Sequence, residues 1–137
     1  MGNSHRRLFL HLVWSTYKRT PFISKNIKPE LYKYIGSLIK EKNSKLIAIG
    51  GIEDHVHILI KTEFFSDIPK LVRRIKSCTS TFMKKAKPSE SFAWQVGYAS
   101  FTVSPTALKR AIQYINNQEE RHKNSRFEEE LKNLLNL

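Results

Sequence analysis

The sequence predicts an α+β domain: an antiparallel sheet with helices packed on one face. Three observations lead there. Runs rich in apolar, β-branched and aromatic residues at 7–15, 45–51, 53–61 and 92–103 have strand character. Between them, apolar residues recur at helical spacing. The two kinds of segment follow one another in the order β-α-β-β-α-β-α, with the second and third strands close enough in sequence to pair as antiparallel neighbours. At 137 residues the chain is expected to be one domain, 1–137, with 125–137 as a short C-terminal tail or helix.

The first strand is Arg7-Leu8-Phe9-Leu10-His11-Leu12-Val13-Trp14-Ser15. A polar loop from Thr16 to Pro29 carries two prolines and several lysines. A helix starts at Pro29-Glu30-Leu31, with Asn26 or Lys28 near its cap. Its apolar face is Leu31, Tyr34, Ile35, Leu38 and Ile39, and Asn43-Ser44 end it. Lys45 to Gly51 is the second strand, where Gly50-Gly51 reads as a tight turn or bulge. Glu53 to Lys61 is the third. Asp67 is a good N-cap for a helix that turns Ile68, Leu71, Val72, Ile75, Thr79 and Phe82 to the core. Lys70, Arg73, Arg74, Lys76, Lys84 and Lys85 lie on its other faces. Phe92 to Val103 is a strand or hairpin. Ser104-Pro105 caps a further helix, with proline at its first position, that runs to about His122; a short helix begins at Phe127. Elements in this order form a ferredoxin-like sandwich, which leaves the second sheet face free to carry a site.

Charge narrows the function. Twenty-four Lys+Arg against twelve Asp+Glu give +12 and a pI near 10.0. Such a surface suits a polyanion, most often nucleic acid. No apolar run approaches the roughly 18 residues of a membrane helix. Leu8 to Trp14 contains His11 and lacks a small-residue cleavage site, so it reads as a strand and not as a signal peptide. Cys78 is the single cysteine, which rules out an internal disulfide and fits a reducing cytoplasm.

The chemistry-bearing residues fall in two places. His55 and His57 flank Val56 on a strand, so their side chains share a face. Two imidazoles there are two-thirds of a metal site, or else a half-exposed polar face. On the helix after Pro105, Leu108, Ala111, Ile112 and Ile115 form the core stripe. Tyr114 and Gln118 lie four residues apart beside it, so a hydroxyl and a carboxamide face the same place. Alone, that pair reads equally as a boundary tyrosine and a surface glutamine.

Three segments carry a resemblance. Asp54-His55-Val56-His57-Ile58-Leu59, Trp94-Gln95-Val96-Gly97-Tyr98-Ala99-Ser100-Phe101-Thr102-Val103-Ser104 and Tyr114-Ile115-Asn116-Asn117-Gln118-Glu119 together resemble the IS200/IS605 family of single-tyrosine transposases, which use a His-hydrophobic-His motif. The opening His11-Leu12-Val13-Trp14-Ser15-Thr16 is also similar. The likeness runs from about Arg7 to Leu131. Tyr17 stands where family members often have lysine, a departure that touches only DNA contacts.

The resemblance implies roles. His55 and His57 match the metal-binding pair, Gln118 the third ligand and Tyr114 the nucleophile. It implies a DNA transposase that cleaves and rejoins single-stranded DNA at hairpin-bearing element ends through a 5′-phosphotyrosine. Mg²⁺ or Mn²⁺ would be required, and no nucleotide cofactor. It also implies a homodimer, in which the tyrosine helix of one subunit can complete the site of the other; Gly97 or Ser104-Pro105 is the expected hinge of such a mobile helix. Lys18, Arg19, Lys70, Arg73, Arg74 and Lys76 are expected to meet DNA phosphates.

The remaining residues have plainer expectations. His11 is a satisfied or sheet-face histidine, His122 ends the tyrosine helix at its negative pole, and His5 lies in a tail. Tyr98, beside Gly97, is a rival nucleophile without a ligand partner one turn away. Phe92, Trp94 and Phe101 read as core or interface. The competing function is a non-enzymatic single-stranded nucleic-acid binder, although its usual Lys/Arg-Gly-Phe strand signature is absent. A third is a domesticated relative acting on repeated hairpins.

Overall fold

The computed structural model describes residues 8–42, 44–63, 67–122 and 127–135. The expectations for His5, Arg7, Asn43 and Asn124-Ser125 lie outside those residues. The elements are β1 (Leu8–Ser15), α1 (Lys28–Lys40), β2 (Lys45–Ile52), β3 (His55–Thr62), α2 (Ile68–Ala86), β4 (Ala99–Val103), α3 (Leu108–Asn116), α4 (Gln118–Arg121) and α5 (Phe127–Leu135). The four strands form one sheet in the order β2-β3-β1-β4, and every pairing is antiparallel. This is the expected α+β arrangement. Among the described residues no helix is long and apolar enough to cross a membrane.

The pleat sorts the side chains. Leu10, Leu12, Trp14, Val56, Ile58 and Ile60 point to the face covered by α1 and α2, where they meet Leu31, Ile35, Leu38, Ile39, Leu71, Val72, Ile75 and Met83. Their neighbours on the strands point the other way. Phe9, Ala48 and Leu59 pack under α3 through Ile115, with Leu108, Ala111, Ile112 and Tyr114 around them. The second face, expected to be free for a site, therefore has α3 seated on it. Leu59 and Ile115 are fully buried, and each contributes about 2 kcal/mol to holding the helix down.

Gly50 makes that seat possible. A Cβ built there would lie 2.1 Å from the Ile115 carbonyl oxygen. Gly50 and Gly51 lie within β2, and the turn to β3 falls at Glu53-Asp54. The register irregularity of β2 sits between Leu46 and Ala48. Gly50 thus marks a close approach of α3, and a Cβ at Gly51 would meet the His55 carbonyl oxygen at 2.2 Å across the hairpin; neither lies in the turn or at the register irregularity.

Three further differences have local causes. Only Ala99–Val103 of the 92–103 run is strand. Trp94 makes a single bridge to Thr16 and donates its indole N–H to Thr79 Oγ1 at 2.9 Å, while Phe92 is buried against Phe22 and Trp94. Neither Asp67 nor Ser104 makes a side-chain capping bond; proline follows in the first turn in both cases, and the Ser104 hydroxyl pairs with Thr106 Oγ1 at 3.1 Å instead. The helix expected to reach His122 breaks at Asn117, with φ −102° and ψ 22°. Consecutive asparagines favour such a break because their side chains compete with the helical backbone.

Candidate metal centre and tyrosine

β3 supplies two imidazoles already oriented. His55 Nδ1 lies 2.7 Å from Asp54 Oδ1, so it carries the proton and leaves Nε2 as a lone pair facing inward. His57 Nδ1 lies 2.7 Å from Nε2 of His11, a fully paired neighbour on β1. Both β3 histidines are fully buried, which rules out the polar-face reading of the His-x-His pair.

The helical side comes down on them. Gln118, also buried, puts Oε1 3.1 Å from His55 Nε2. Its amide donates to the Tyr114 carbonyl at 3.3 Å, so the Tyr114–Gln118 relation survives the break at Asn117. The Tyr114 ring lies edge-on to His57 and His11, with centroids at 5.6 and 6.0 Å. The Arg121 guanidinium lies 4.5 Å over its face. Tyr98, the rival nucleophile, is exposed on the segment leading into β4.

Two residues that the sequence reading gave no part in the site complete the cluster. Glu130 of α5 is buried with its carboxylate in the middle. It accepts a short hydrogen bond from the Tyr114 hydroxyl and another short contact from His122 Nε2. Its Oε1 lies 2.9 Å from His57 Nε2, off the line of a hydrogen bond, and its Oε2 lies 3.5 Å from His55 Nε2. His122 is also 3.1 Å from Gln118 Oε1 and stacks edge-on against His55 at 4.6 Å. It stands at the C-terminal end of α4, the helix-end position expected for it, and these contacts hold its ring at the site.

Weak signals for both residues exist in the sequence. Positions 114, 118 and 122 follow i, i+4, i+8, so His122 shares the side of Tyr114 and Gln118. Glu130 falls inside the stripe of Phe127, Leu131 and Leu134, where a carboxylate needs a reason to be.

Burial and proximity set the proton affinities. Burial, and after it the proximity of the His57 imidazole, pushes His11 down to about 3, so it stays neutral. His57 is likewise lowered, chiefly by burial, against the pull of Glu130. Tyr114 is raised above the ordinary phenol range by burial and by the Glu130 carboxylate, with Arg121 opposing. Burial alone would raise Glu130, but His57, Tyr114 and His55 outweigh it and hold the carboxyl well below the usual range. A carboxylate so held is a weak base.

The donor set fits a divalent cation. Imidazole nitrogens, an amide oxygen and a carboxylate converge in a buried place. His57 Nε2 has no aligned hydrogen-bond partner. The ligand atoms of His55, His122 and Glu130 lie within 4.8 Å of one another.

The expected phosphate-binding residues divide. Arg73 and Lys76 line a groove of about 690 Å³ with Trp94, Val96 and Tyr98. Lys18 joins its edge, its backbone N–H bonded to Gln95 Oε1, with Arg19 in the same turn. Lys76 also braces that segment, donating to the carbonyls of Gln95 and Gly97 at 2.8 and 2.6 Å. Arg74 is held by Glu41 at 2.9 Å. Lys70 is exposed on the first turn of α2.

Solved structures share this fold. The chain is similar to a candidate transposase from Deinococcus radiodurans R1 (24% identity, TM-score 0.67, covering 86% of this chain and 98% of that one). It is also similar to a REP-associated tyrosine transposase bound to a REP hairpin (16% identity, TM-score 0.62, covering 89% and 74%). Among curated proteins none matches. The family model for IS200-like transposases matches residues 4–118, and the chain belongs to that family. The match ends at Gln118, so His122 and Glu130 lie beyond it.

Proposed function

We propose that the protein cleaves and rejoins single-stranded DNA through a covalent link to Tyr114, with a divalent cation at His55, His57 and Gln118. One observation carries the reading: a tyrosine and a glutamine from the α3–α4 segment meet two oriented histidines of β3 in one buried cluster. A non-enzymatic binder has no use for two buried, inward-facing imidazoles, each paired through Nδ1 to a neighbour.

The tyrosine acts as nucleophile. Its Oη forms a bond to phosphorus, the bond from phosphorus to the 3′ oxygen breaks, and the phenolic proton passes in net to that oxygen. The product is a 5′-phosphotyrosine, which a 3′ hydroxyl attacks in the rejoining step. Each ester replaces another of similar energy, so no nucleotide cofactor is needed. Mg²⁺ or Mn²⁺ on the histidines would supply Lewis-acid polarisation of the phosphate. Asp54 and His11 hold the imidazoles in place, and Arg121 sets positive charge beside the phenol where phosphate negative charge arrives.

The groove between α2 and the 93–98 segment takes the DNA. Arg73, Lys76, Lys18 and Arg19 meet phosphates, while Tyr98 is placed to stack on an unpaired base. A hairpin is the favoured substrate, given the bound state of one structural neighbour. Tyr114 sits on the histidines of its own chain, so one subunit holds a full set of groups. The homodimer implied by the resemblance is then not required to complete the site, and the mass in solution tests it. The protein needs only a reducing cytoplasm and access to DNA. Covalent capture on single strands flanking its own gene, in Mn²⁺ or Mg²⁺, tests the chemistry.

A further inference from the structure

We propose that in the DNA-free protein Glu130 and His122 ligate the divalent cation together with His55, which makes α5 a removable cap on the metal site. This rests on the reading above that His55 belongs to a metal centre. The carboxylate holds the place that the scissile phosphate takes.

The first argument is the environment of the carboxylate. Glu130 is buried, and its recorded partners are His55, His57, His122 and Tyr114, none of them a lysine or arginine. These neighbours satisfy the carboxylate with hydrogen-bonding groups but bring no permanent positive charge, which a divalent ion would supply. Charging the imidazoles is a poor remedy, because their rings stand 4.6 and 5.1 Å apart and repel once protonated. A divalent ion answers the need with one charge centre.

The second argument is the direction of the lone pairs. Asp54 takes the Nδ1 proton of His55, so His55 Nε2 is an acceptor. It faces Glu130 Oε2, another acceptor, at 3.5 Å. Two acceptors turned toward each other are favourable only with a cation between them. The same carboxylate oxygen contacts His122 Nε2, so three ligand atoms from three elements meet at one point.

The third argument is how α5 sits. It reaches the site from beyond the region that the family model matches. Its Leu131 lies by Val13, Ser15, Ala99 and Ser100, over β1, which pairs with the histidine strand, and β4 beyond it. The carboxylate also holds the Tyr114 hydroxyl. One displacement of α5 therefore frees both the nucleophile and the coordination positions. A set of two imidazoles and a carboxylate suits Mn²⁺ better than Mg²⁺.

The test is Mn²⁺ titration of the full-length, DNA-free protein, read by electron paramagnetic resonance. The proteins are the wild type, Glu130→Ala, Glu130→Gln, His122→Asn, His55→Ala and the exposed control Glu129→Gln. Melting curves in chelator establish that each variant is folded. The expected result is Mn²⁺ binding at least tenfold weaker in Glu130→Ala and in His122→Asn. Glu130→Gln should be intermediate and Glu129→Gln unchanged. Adduct formation at saturating Mn²⁺ should be faster in Glu130→Ala than in wild type. Wild-type affinity in both Glu130→Ala and His122→Asn, with binding lost in His55→Ala, overturns the inference and leaves the metal centre standing. Binding insensitive to His55→Ala overturns both. Slower adduct formation in Glu130→Ala at saturating Mn²⁺ overturns the cap.

Discussion

Gly50→Ala tests the link between packing and chemistry. The added Cβ would stand 2.1 Å from the Ile115 carbonyl oxygen, a backbone atom that no rotamer change can move. Reaching ordinary contact requires α3 to lift by roughly 1 Å. Tyr114 precedes Ile115 on that helix, so the phenol moves with it. A misplacement of about 1 Å costs on the order of 100-fold in rate. Overpacking costs about 1–3 kcal/mol, which lowers the melting temperature by several degrees. The assay is single-turnover formation of the protein–DNA adduct in Mn²⁺, with melting curves beside it. Gly36→Ala is the control. Its Cβ would meet only the Leu46 side chain at 3.4 Å, and it should stabilise α1 by about 0.5–1 kcal/mol without changing the rate. A Gly50→Ala protein with wild-type rate and melting temperature would refute the argument that β2 positions the tyrosine.

Other expectations are independent of that one. Tyr32 has a buried hydroxyl with no hydrogen-bond partner, so Tyr32→Phe should raise stability by about 1 kcal/mol in urea unfolding. Burial also raises the Tyr32 pKa above 10.0; the unfolded chain loses that proton first, so stability is lost as pH climbs past 10.0, and less steeply in Tyr32→Phe. Arg121→Ala removes the cation over the Tyr114 ring and should slow adduct formation ten- to a hundredfold, with binding of single strands little changed in a gel-shift titration. Arg73→Ala should weaken binding uniformly across sequences and reduce the slope of log affinity against log salt by about 0.7, the value for one single-strand phosphate contact.

Much of this molecule can be read from its residues, and the unreadable part has a physical reason. The continuous apolar runs of β1 and β3 and the stripes of α1 and α2 report a core through local pattern alone. His55 and His57 declare a shared face by their spacing, and Tyr114 and Gln118 a shared side by theirs. Joining the two pairs required the family resemblance, because no local signal says which helix lies on which sheet face. Gly50-Gly51 shows the limit. A glycine pair reads as a turn, whereas here Gly50 marks a contact with a carbonyl 65 positions away, at Ile115. Glu130 shows it again. It is the last of three consecutive glutamates, and only the docking of α5 brings it to the site.

The most direct measurement of the central claim is covalent capture on a denaturing gel. The protein is mixed with each single strand of the DNA flanking its own gene, with and without Mn²⁺. The account predicts a protein–DNA adduct on one strand that requires the ion, survives denaturation and disappears in Tyr114→Phe. An adduct that persists in Tyr114→Phe, or tight binding on both strands with no adduct under any condition, would contradict it.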